Sequence, residues 1–191
     1  MTERMLIAGI GNIFLGDDAF GIEVVQRCAG RWPSSVRVTD FGIRGFDLAY
    51  ALMNGPEFAI LVDAAKRGGS PGTLYLIAPD LPGGAAPEQG SFEGHSLTLE
   101  HVFRLVTTMG GSLPRLLVVG CEPTPLSQEE EEFGCAGLSP AVQDAVPEAI
   151  CLIESVVQKF LTESAALAPI PPALQLTGPI EGESLQKGGL A

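Results

Sequence analysis

The stretch Met5-Leu6-Ile7-Ala8-Gly9-Ile10-Gly11-Asn12, continued by Ile13-Phe14-Leu15-Gly16-Asp17-Asp18, decides the fold of this chain. Its apolar residues predict a short buried strand, its Gly-x-Gly pair predicts a tight turn, and the apolar pattern after it predicts a helix. Dinucleotide- and phosphate-binding loops begin in this way. A Rossmann fingerprint, however, requires a third glycine at position 14, which is Phe14. A P-loop requires Gly-Lys-Ser/Thr where this chain has Gly16-Asp17-Asp18.

Two carboxylates therefore stand where the first helix is predicted to begin. A helix N-terminus carries free N–H groups and partial positive charge, so Asp is favoured there, but a bound phosphate would be repelled by it. We interpret the loop as one that attracts a cation, which disfavours a nucleotide-binding domain. Asn12 is either a turn former, since Asn tolerates left-handed backbone, or a hydrogen-bond partner of the Asp18 loop.

Strands and helices are predicted to alternate along the rest of the chain. Apolar runs of strand length recur at 5–9, 36–39, 58–63, 73–77 and 115–120, and helical spacing is found near 19–31, 46–53, 97–106 and 149–160. Strands that read as continuous Val, Ile and Leu runs and alternate with helices are typical of a mostly parallel sheet covered on both faces. The predicted fold class is α/β.

Composition limits the possible functions. With 191 residues, 46% of them hydrophobic, the chain is long enough for one domain with a buried core. Its net charge of -12 and its scattered basic residues disfavour nucleic acid and anionic membranes as partners. No run has the length of a signal segment or membrane span, so we expect a cytoplasmic protein. The four cysteines form no C-x-x-C pair and are expected to be reduced thiols, with Cys121 as a small buried residue.

The character of the sequence changes in three places. Pro and Gly punctuate residues 79–94, which predicts a long irregular loop that ends at His95. The acidic run 129–132 predicts a solvated loop, with docking of a basic partner as the lesser alternative. From residue 163 onward Ala, Pro and Gly dominate without periodicity, so we predict a folded domain over 1–162 and a flexible tail over 163–191.

Three polar residues are expected where an open α/β sheet binds its ligands, at the carboxyl ends of the strands. Asp18 follows the first strand, Asp63 closes the third, and His95 precedes the third helix. Two carboxylates and one imidazole suit zinc, nickel, iron or manganese, with coordination positions left open. The sequence therefore predicts a metal-binding crevice.

Each of the three has a simpler alternative. Asp18 is also a good helix N-cap, although Asp17 beside it can serve as the cap instead. Asp63 also suits a solvated turn at the end of a strand. His95 and His101 are the two histidines of the chain, and spacing alone does not choose between them.

Five segments, in their order and spacing, resemble the hydrogenase maturation endopeptidases. They are Gly9-Ile10-Gly11-Asn12-Ile13-Phe14-Leu15-Gly16-Asp17-Asp18-Ala19-Phe20-Gly21, Leu61-Val62-Asp63-Ala64, His95-Ser96-Leu97, Val119-Gly120-Cys121-Glu122-Pro123 and Gly137-Leu138-Ser139. Enzymes of this family remove a C-terminal extension from the precursor of the nickel-iron hydrogenase large subunit after nickel is inserted. The resemblance covers roughly residues 5–160 and implies a single domain with a three-layer α/β/α sandwich around a mostly parallel, twisted sheet.

The resemblance also implies roles for individual residues. The metal-contacting positions of the family fall on Asp18, Asp63 and His95, which favours His95 over His101, and the two acids are the implied catalytic residues. Asp40 occupies a position that is linked to substrate choice. The implied nickel belongs to the precursor, and no nucleotide cofactor is implied. On this interpretation the chain is an aspartyl-type peptide hydrolase; the alternative is a non-catalytic nickel-sensing or delivery chaperone.

Overall fold

A computed structural model describes residues 3–79 and 99–163 of the chain. The predicted tail beyond residue 163, nearly all of the predicted loop at 79–94, and His95 lie outside the described residues.

The described residues contain the predicted alternation of strands and helices. The strands are β1 (Met5–Ile10), β2 (Val36–Gly42), β3 (Phe58–Ala64), β4 (Leu74–Ile77) and β5 (Arg115–Cys121). The helices are α1 (Phe20–Cys28), α2 (Gly45–Met53), α3 (Leu99–Thr108), α4 (Gln128–Phe133) and α5 (Pro140–Glu163), and a single 3-10 turn (Gly16–Ala19) precedes α1. In this part of the chain, no helix combines the length and apolarity needed to cross a bilayer.

The strands form one sheet in the order β2-β1-β3-β5-β4. β1 runs parallel to β2 and β3, and β3 runs parallel to β5. Only β4, a four-residue strand at one edge, is antiparallel to its neighbour. The prediction of a mostly parallel sheet is confirmed.

Different pairs of helices cover the two faces of the sheet. Side chains alternate along a strand, so Met5 and Ile7 of β1 point to one face and Leu6 and Ala8 to the other. The first face packs against α1 and α5, and the second packs against α2 and α3. The molecule is therefore the α/β/α sandwich that the sequence resemblance implies.

The carboxyl end of β1 is a topological switch point. From β1 the chain moves to β2 on one side, through α1 on one face of the sheet, whereas from β3 it moves to β4 and β5 on the other side, and α3 packs on the opposite face. Chains that leave adjacent strands toward opposite faces open a crevice where ligands bind. Gly21 lets α1 approach this crevice closely, because a Cβ there would lie 2.0 Å from the carbonyl oxygen of Val62.

One prediction about secondary structure is wrong. The acidic run 129–132, expected to be a solvated loop, belongs to the short helix α4. The hydroxyl of Ser127 accepts a hydrogen bond from the Glu130 N–H at 3.3 Å, and the Glu130 carboxylate accepts one from the Ser127 N–H at 2.8 Å. This reciprocal capping box satisfies two N–H groups at the start of the helix, and its Ser-x-x-Glu pattern was the overlooked signal in the sequence.

Candidate active site

Asp18 lies in the 3-10 turn just beyond β1, half-buried at the switch point. No side chain caps this turn or α1 by a hydrogen bond, so Asp18 is not the N-cap that the simpler alternative proposed. Its carboxylate instead accepts a hydrogen bond from the Asn12 N–H at 2.6 Å. The Asn12 side chain accepts one from the Phe14 N–H at 3.0 Å, so Asn12 both shapes the turn and binds the Asp18 loop.

Gly11 determines how closely the loop folds over Asp18. Its φ of +135° lies in the region that favours glycine, and a Cβ at this position would lie 1.7 Å from the Asp18 carbonyl oxygen. The Gly11 N–H donates to the Gly42 carbonyl at 3.2 Å, which ties the turn to the end of β2. The Gly-x-Gly pair thus positions an acid, where the nucleotide-binding loops that it resembles position a phosphate.

Asp63 lies at the carboxyl end of β3, opposite Gly120 of β5. Burial and, after it, the negative charge of Asp18 raise the pKa of Asp63 to about 7, although a backbone hydrogen bond at Ala64 opposes the shift. The structure therefore brings the two predicted acids close enough to repel each other. The simpler alternative of a solvated turn does not describe Asp63.

The influences on the pKa of Asp18 oppose one another more evenly than those on the pKa of Asp63. Burial raises the pKa of Asp18, whereas the hydrogen bond from Asn12 and the positive charge of Lys66 act in the opposite direction. A net raise remains, so both acids of the pair hold their protons more tightly than free Asp does. Perturbed pairs of this kind cluster at functional sites.

A cation would relieve the repulsion between Asp18 and Asp63, and carboxylate oxygens are suitable ligands for a divalent metal. Within residues 3–79 and 99–163, no three His, Cys, Asp or Glu side chains are grouped so that they could hold a metal ion. The two acids supply two ligands of the predicted set, and the third, His95, lies outside the described residues. The three-residue metal site stays a prediction.

Asp17, next to Asp18, has a role that the sequence analysis did not predict. It is only 4% exposed, and its carboxylate accepts hydrogen bonds from the Thr124 N–H at 2.8 Å, the Ser139 N–H at 2.6 Å and the Ser139 hydroxyl at 2.8 Å. It therefore does not cap its own helix but joins the 3-10 turn to the segment after β5 and to the start of α5. This anchoring fixes the backbone that carries Asp18.

Glu122, only 6% exposed at the end of β5, organises the loop that follows Asp63. Its carboxylate accepts hydrogen bonds from the backbone N–H groups of residues 67–69, at 2.8 to 3.2 Å, and from the Tyr75 hydroxyl at 2.7 Å. Burial alone would raise the pKa of Glu122, but these hydrogen bonds outweigh it and hold the pKa below its usual value. An acid directly after a buried strand was the available sequence signal, as it was for Asp63.

Asp40 is half-buried on β2 opposite Gly9, whose other neighbour in the sheet is Val62. Adjacent strands lie roughly 4.8 Å apart, so the backbones of β2 and β3 are about 10 Å apart at this edge. Asp40 thus lies at the same edge of the sheet as the acid pair, two strands away from Asp63. A groove of about 410 Å³ between β2 and α2 is lined among others by Thr39, Phe41, Arg44 and Tyr50. Because side chains alternate along a strand, Asp40 lies on the other face of β2 and is not part of this lining.

The cysteines and His101 are the remaining residues that the sequence analysis considered. All four cysteines are free thiols, as expected. Cys121 is fully buried, and burial raises its pKa to about 12, so the thiol stays protonated and is unsuited to act as a nucleophile. His101 is exposed on α3.

The chain matches the family model of the hydrogenase maturation proteases over residues 22–156. It belongs to the hydrogenase maturation protease family. It is 32% identical over 151 residues to the hydrogenase expression/formation protein HupD of Rhodobacter capsulatus, a match that covers 78% of this chain and 68% of HupD. A putative hydrogenase maturation protease of Methanocaldococcus jannaschii is 32% identical over 163 residues, covering 82% of this chain and 98% of that protein.

Solved structures agree with this assignment to the hydrogenase maturation proteases. The hydrogenase maturating endopeptidase HybD from E. coli has a TM-score of 0.63 at 25% identity, covering 82% of this chain and 93% of HybD. The protein is therefore a peptide hydrolase. The family match includes Asp40 and Asp63, whereas Asp18 precedes the matched residues, and the roles of individual residues stay predictions.

Proposed function

We propose that this hydrogenase maturation protease removes the C-terminal extension of a nickel-iron hydrogenase large-subunit precursor after nickel insertion, in the cytoplasm and without a nucleotide cofactor. The main observation behind the proposal is that Asp18 and Asp63 lie close together at the switch point of the fold. Relatives described as hydrogenase maturation proteases and endopeptidases support a hydrogenase as the partner.

The nickel ion is proposed to arrive with the precursor and to act as the recognition element. Asp18 and Asp63 repel each other in the enzyme alone, and a divalent ion presented by the substrate offsets that repulsion. His95 is proposed as the third ligand. A precursor without nickel leaves the repulsion in place and is held more weakly, so cleavage becomes a check on metal insertion.

The chain's own acids are proposed to carry the hydrolysis. Asp63 is proposed as the general base that takes a proton from the attacking water. Its pKa of about 7 belongs to the ion-free protein, and the bound ion would lower it so that the carboxylate is ionised and able to accept the proton. Asp18, oriented by the Asn12 N–H, is proposed to bind the ion. The ion itself would polarise the scissile carbonyl or lower the pKa of a bound water. Asp40, two strands away from Asp63 at the same edge of the sheet, is proposed to select the substrate.

We expect the wild-type protein to shorten a nickel-loaded precursor and the Asp18→Asn variant to leave it intact. Asn keeps the shape of the side chain and an acceptor for the Asn12 N–H but removes the charge that binds the ion. Mass spectrometry of the precursor before and after incubation measures the loss of the extension. Asp144→Asn, which neutralises an exposed acid on α5, is the matched control and should process normally.

Unchanged cleavage by Asp18→Asn would overturn the assignment of this residue. A wild-type protein that binds nickel and the loaded precursor but releases no peptide would instead support the delivery-chaperone alternative.

We expect His95→Ala to lose processing and His101→Ala to retain it, because His101 is exposed on α3 and is not the proposed ligand. The same mass assay, run as a time course, measures both variants. Binding of the nickel-loaded precursor, compared with the nickel-free precursor, shows whether the lost activity is a loss of ion recognition. The reverse pattern would assign the third ligand to His101.

A further inference from the structure

The large hydrophobic side chains that are exposed in residues 3–79 and 99–163 are not scattered. Ile13 and Phe14, 52% and 69% exposed, follow β1, and Ile43, Phe46 and Tyr50 follow β2. Phe133, 77% exposed, ends α4. The remaining one, Met109, follows α3 and precedes the amino end of β5. Ile13 and Phe14 after β1 and Ile43 after β2 thus lie at the carboxyl edge of the sheet, which holds Asp18 and Asp63, whereas Phe46 and Tyr50 lie on α2.

Ile13, Phe14 and Phe133 are exposed on two segments that are hydrogen-bonded together, and we call these three residues the loop patch. The Cys135 N–H donates to the Phe14 carbonyl at 2.9 Å, and the Gly16 N–H donates to the Cys135 carbonyl at the same distance. These bonds hold the loop after β1 and the loop after α4 side by side. The loop patch is therefore assembled from two distant stretches of the chain.

The backbone under the loop patch is anchored on both sides. Asn12 accepts from the Phe14 N–H and donates its own N–H to Asp18, and Asp17 makes three hydrogen bonds to Thr124 and Ser139. An anchored backbone loses little conformational freedom when a partner covers its side chains, so the entropic cost of docking is reduced. The bonds through Asn12 also connect the patch directly to the acid pair.

Charge next to the loop patch indicates what covers it. Glu129 and Glu132 are exposed on α4, while the Glu130 carboxylate is occupied by the capping box. The whole chain carries a net charge of -12. A second copy would bring two acidic α4 surfaces together, which is unfavourable, whereas a partner with Lys or Arg near its apolar residues would be attracted.

We propose that the loop patch and the exposed acids of α4 dock a segment of the hydrogenase precursor that combines apolar side chains with Lys or Arg residues. The identity of the partner rests on the proposed function. Docking at Phe14 places the precursor next to Asp18, because Asn12 bonds to both residues. The loop patch supplies affinity for the folded precursor, and the acid pair recognises its ion.

Binding of the full-length protein to purified, nickel-free precursor tests this docking site, because it requires no cleavage. We expect the dissociation constant to rise about tenfold or more in Phe14→Ser and in Phe133→Ser, as at other exposed aromatic anchors. Met109→Ser, an apolar exposed residue away from this edge, is the matched control and should bind like the wild type. Thermal unfolding of each variant verifies that the fold is retained.

The salt dependence of binding tests the contribution of the exposed acids Glu129 and Glu132. Glu129→Lys combined with Glu132→Lys should weaken binding at low salt, and the difference from the wild type should shrink at high salt. With nickel-loaded precursor, the patch variants should raise KM and leave kcat unchanged, because they do not touch the reacting groups.

Several results would overturn the docking proposal. These are wild-type affinity in both Phe14→Ser and Phe133→Ser, absence of precursor binding by the wild type, and a wild-type dimer in sedimentation that Phe14→Ser dissolves without changing precursor affinity. If the wild type binds but never cleaves, and the patch variants bind weakly, the docking site stands and the proposed protease function fails.

Discussion

The Asp63→Asn variant is expected to be more stable than the wild-type protein and to process no precursor. The pKa of Asp63 is raised from 3.8 to about 7 in the folded protein, by burial first and by the charge of Asp18 second. Above pH 7 the side chain is ionised in both the folded and the unfolded protein, so the folded state carries the full cost of the buried charge. Below about pH 4 it is protonated in both states, and the cost is absent.

The free energy of unfolding of the metal-free wild type is therefore expected to fall, through Asp63, as pH rises from about 4 to 7. The difference in pKa corresponds to at most about 4 kcal/mol, or on the order of 2 kcal/mol once solvent screening is allowed for. Asn is neutral at every pH and avoids this cost. It also provides neither the charge that binds the ion nor the base that activates water.

Urea unfolding of the metal-free proteins at pH 5 and pH 8 measures the effect. The stability advantage of Asp63→Asn should be larger at pH 8 than at pH 5, while Asp144→Asn, on exposed α5 surface, should follow the wild type at both. Equal stability of Asp63→Asn and wild type at pH 8 would mean that ionised Asp63 does not destabilise the fold. The proposal that the substrate's ion relieves repulsion between Asp18 and Asp63 would then be contradicted.

The four acids at and around the candidate site fall into two groups, which differ in whether the protein itself hydrogen-bonds the carboxylate fully. Asp17 and Glu122 are buried with three and four hydrogen bonds to their carboxylates, so their charge is met by the protein itself. Asp18 and Asp63 share a site in which burial raises the pKa of both, and the charge of Asp18 raises that of Asp63 further. Asp17 and Glu122 therefore stabilise the fold. Asp18 and Asp63 carry charge that the protein does not neutralise and that a bound cation can neutralise.

The positions of Asp18 and Asp63 were predictable because each depends on a local pattern and one general rule. An apolar run predicts a buried strand, an acid after it marks the strand's carboxyl end, and parallel strands place those ends at one edge. Two acids on neighbouring strands then had to lie near each other. The antiparallel β4 and the early start of α5 did not affect this argument.

The role of Asp17 was not predictable in the same way. Its partners Thr124 and Ser139 lie 107 and 122 residues away in the sequence. Local patterns give equal support for Asp17 and Asp18 as the cap of the first helix, and neither is. The helix α4 is a different case, since its capping box is readable in the sequence but an uninterrupted acidic run equally predicts a solvated loop.

Glu122→Gln is expected to destabilise the fold and to loosen the loop between Asp63 and Tyr75. Gln replaces one acceptor oxygen by an NH₂ group that faces backbone N–H donors of residues 67–69. Buried donors that lose their acceptor cost about 1–3 kcal/mol each, so a total loss on the order of 3 kcal/mol is expected. Because this loop carries Lys66, whose charge acts on Asp18, processing should slow as well.

The pH dependence of this effect has the opposite sign to that of Asp63. Hydrogen bonds hold the pKa of Glu122 below the usual value of 4.5 for a glutamic acid, so its contribution to stability is fully present above about pH 4.5 and is lost as pH falls through the folded pKa. The stability gap between wild type and Glu122→Gln should therefore shrink in acid. Tyr75→Phe, which removes one of the four hydrogen bonds, should cost about 1 kcal/mol and is the graded control.

Hydrogen exchange distinguishes the local effect of Glu122→Gln from general destabilisation. The amides of residues 67–69 should lose protection by more than the change in global stability explains, because their acceptor is the substituted group. Amides of β1 and β3 should change only in step with global unfolding. Uniform loss of protection across the sheet and the loop would show that the carboxylate supports the core as a whole, and the loop would then not be positioned by Glu122 alone.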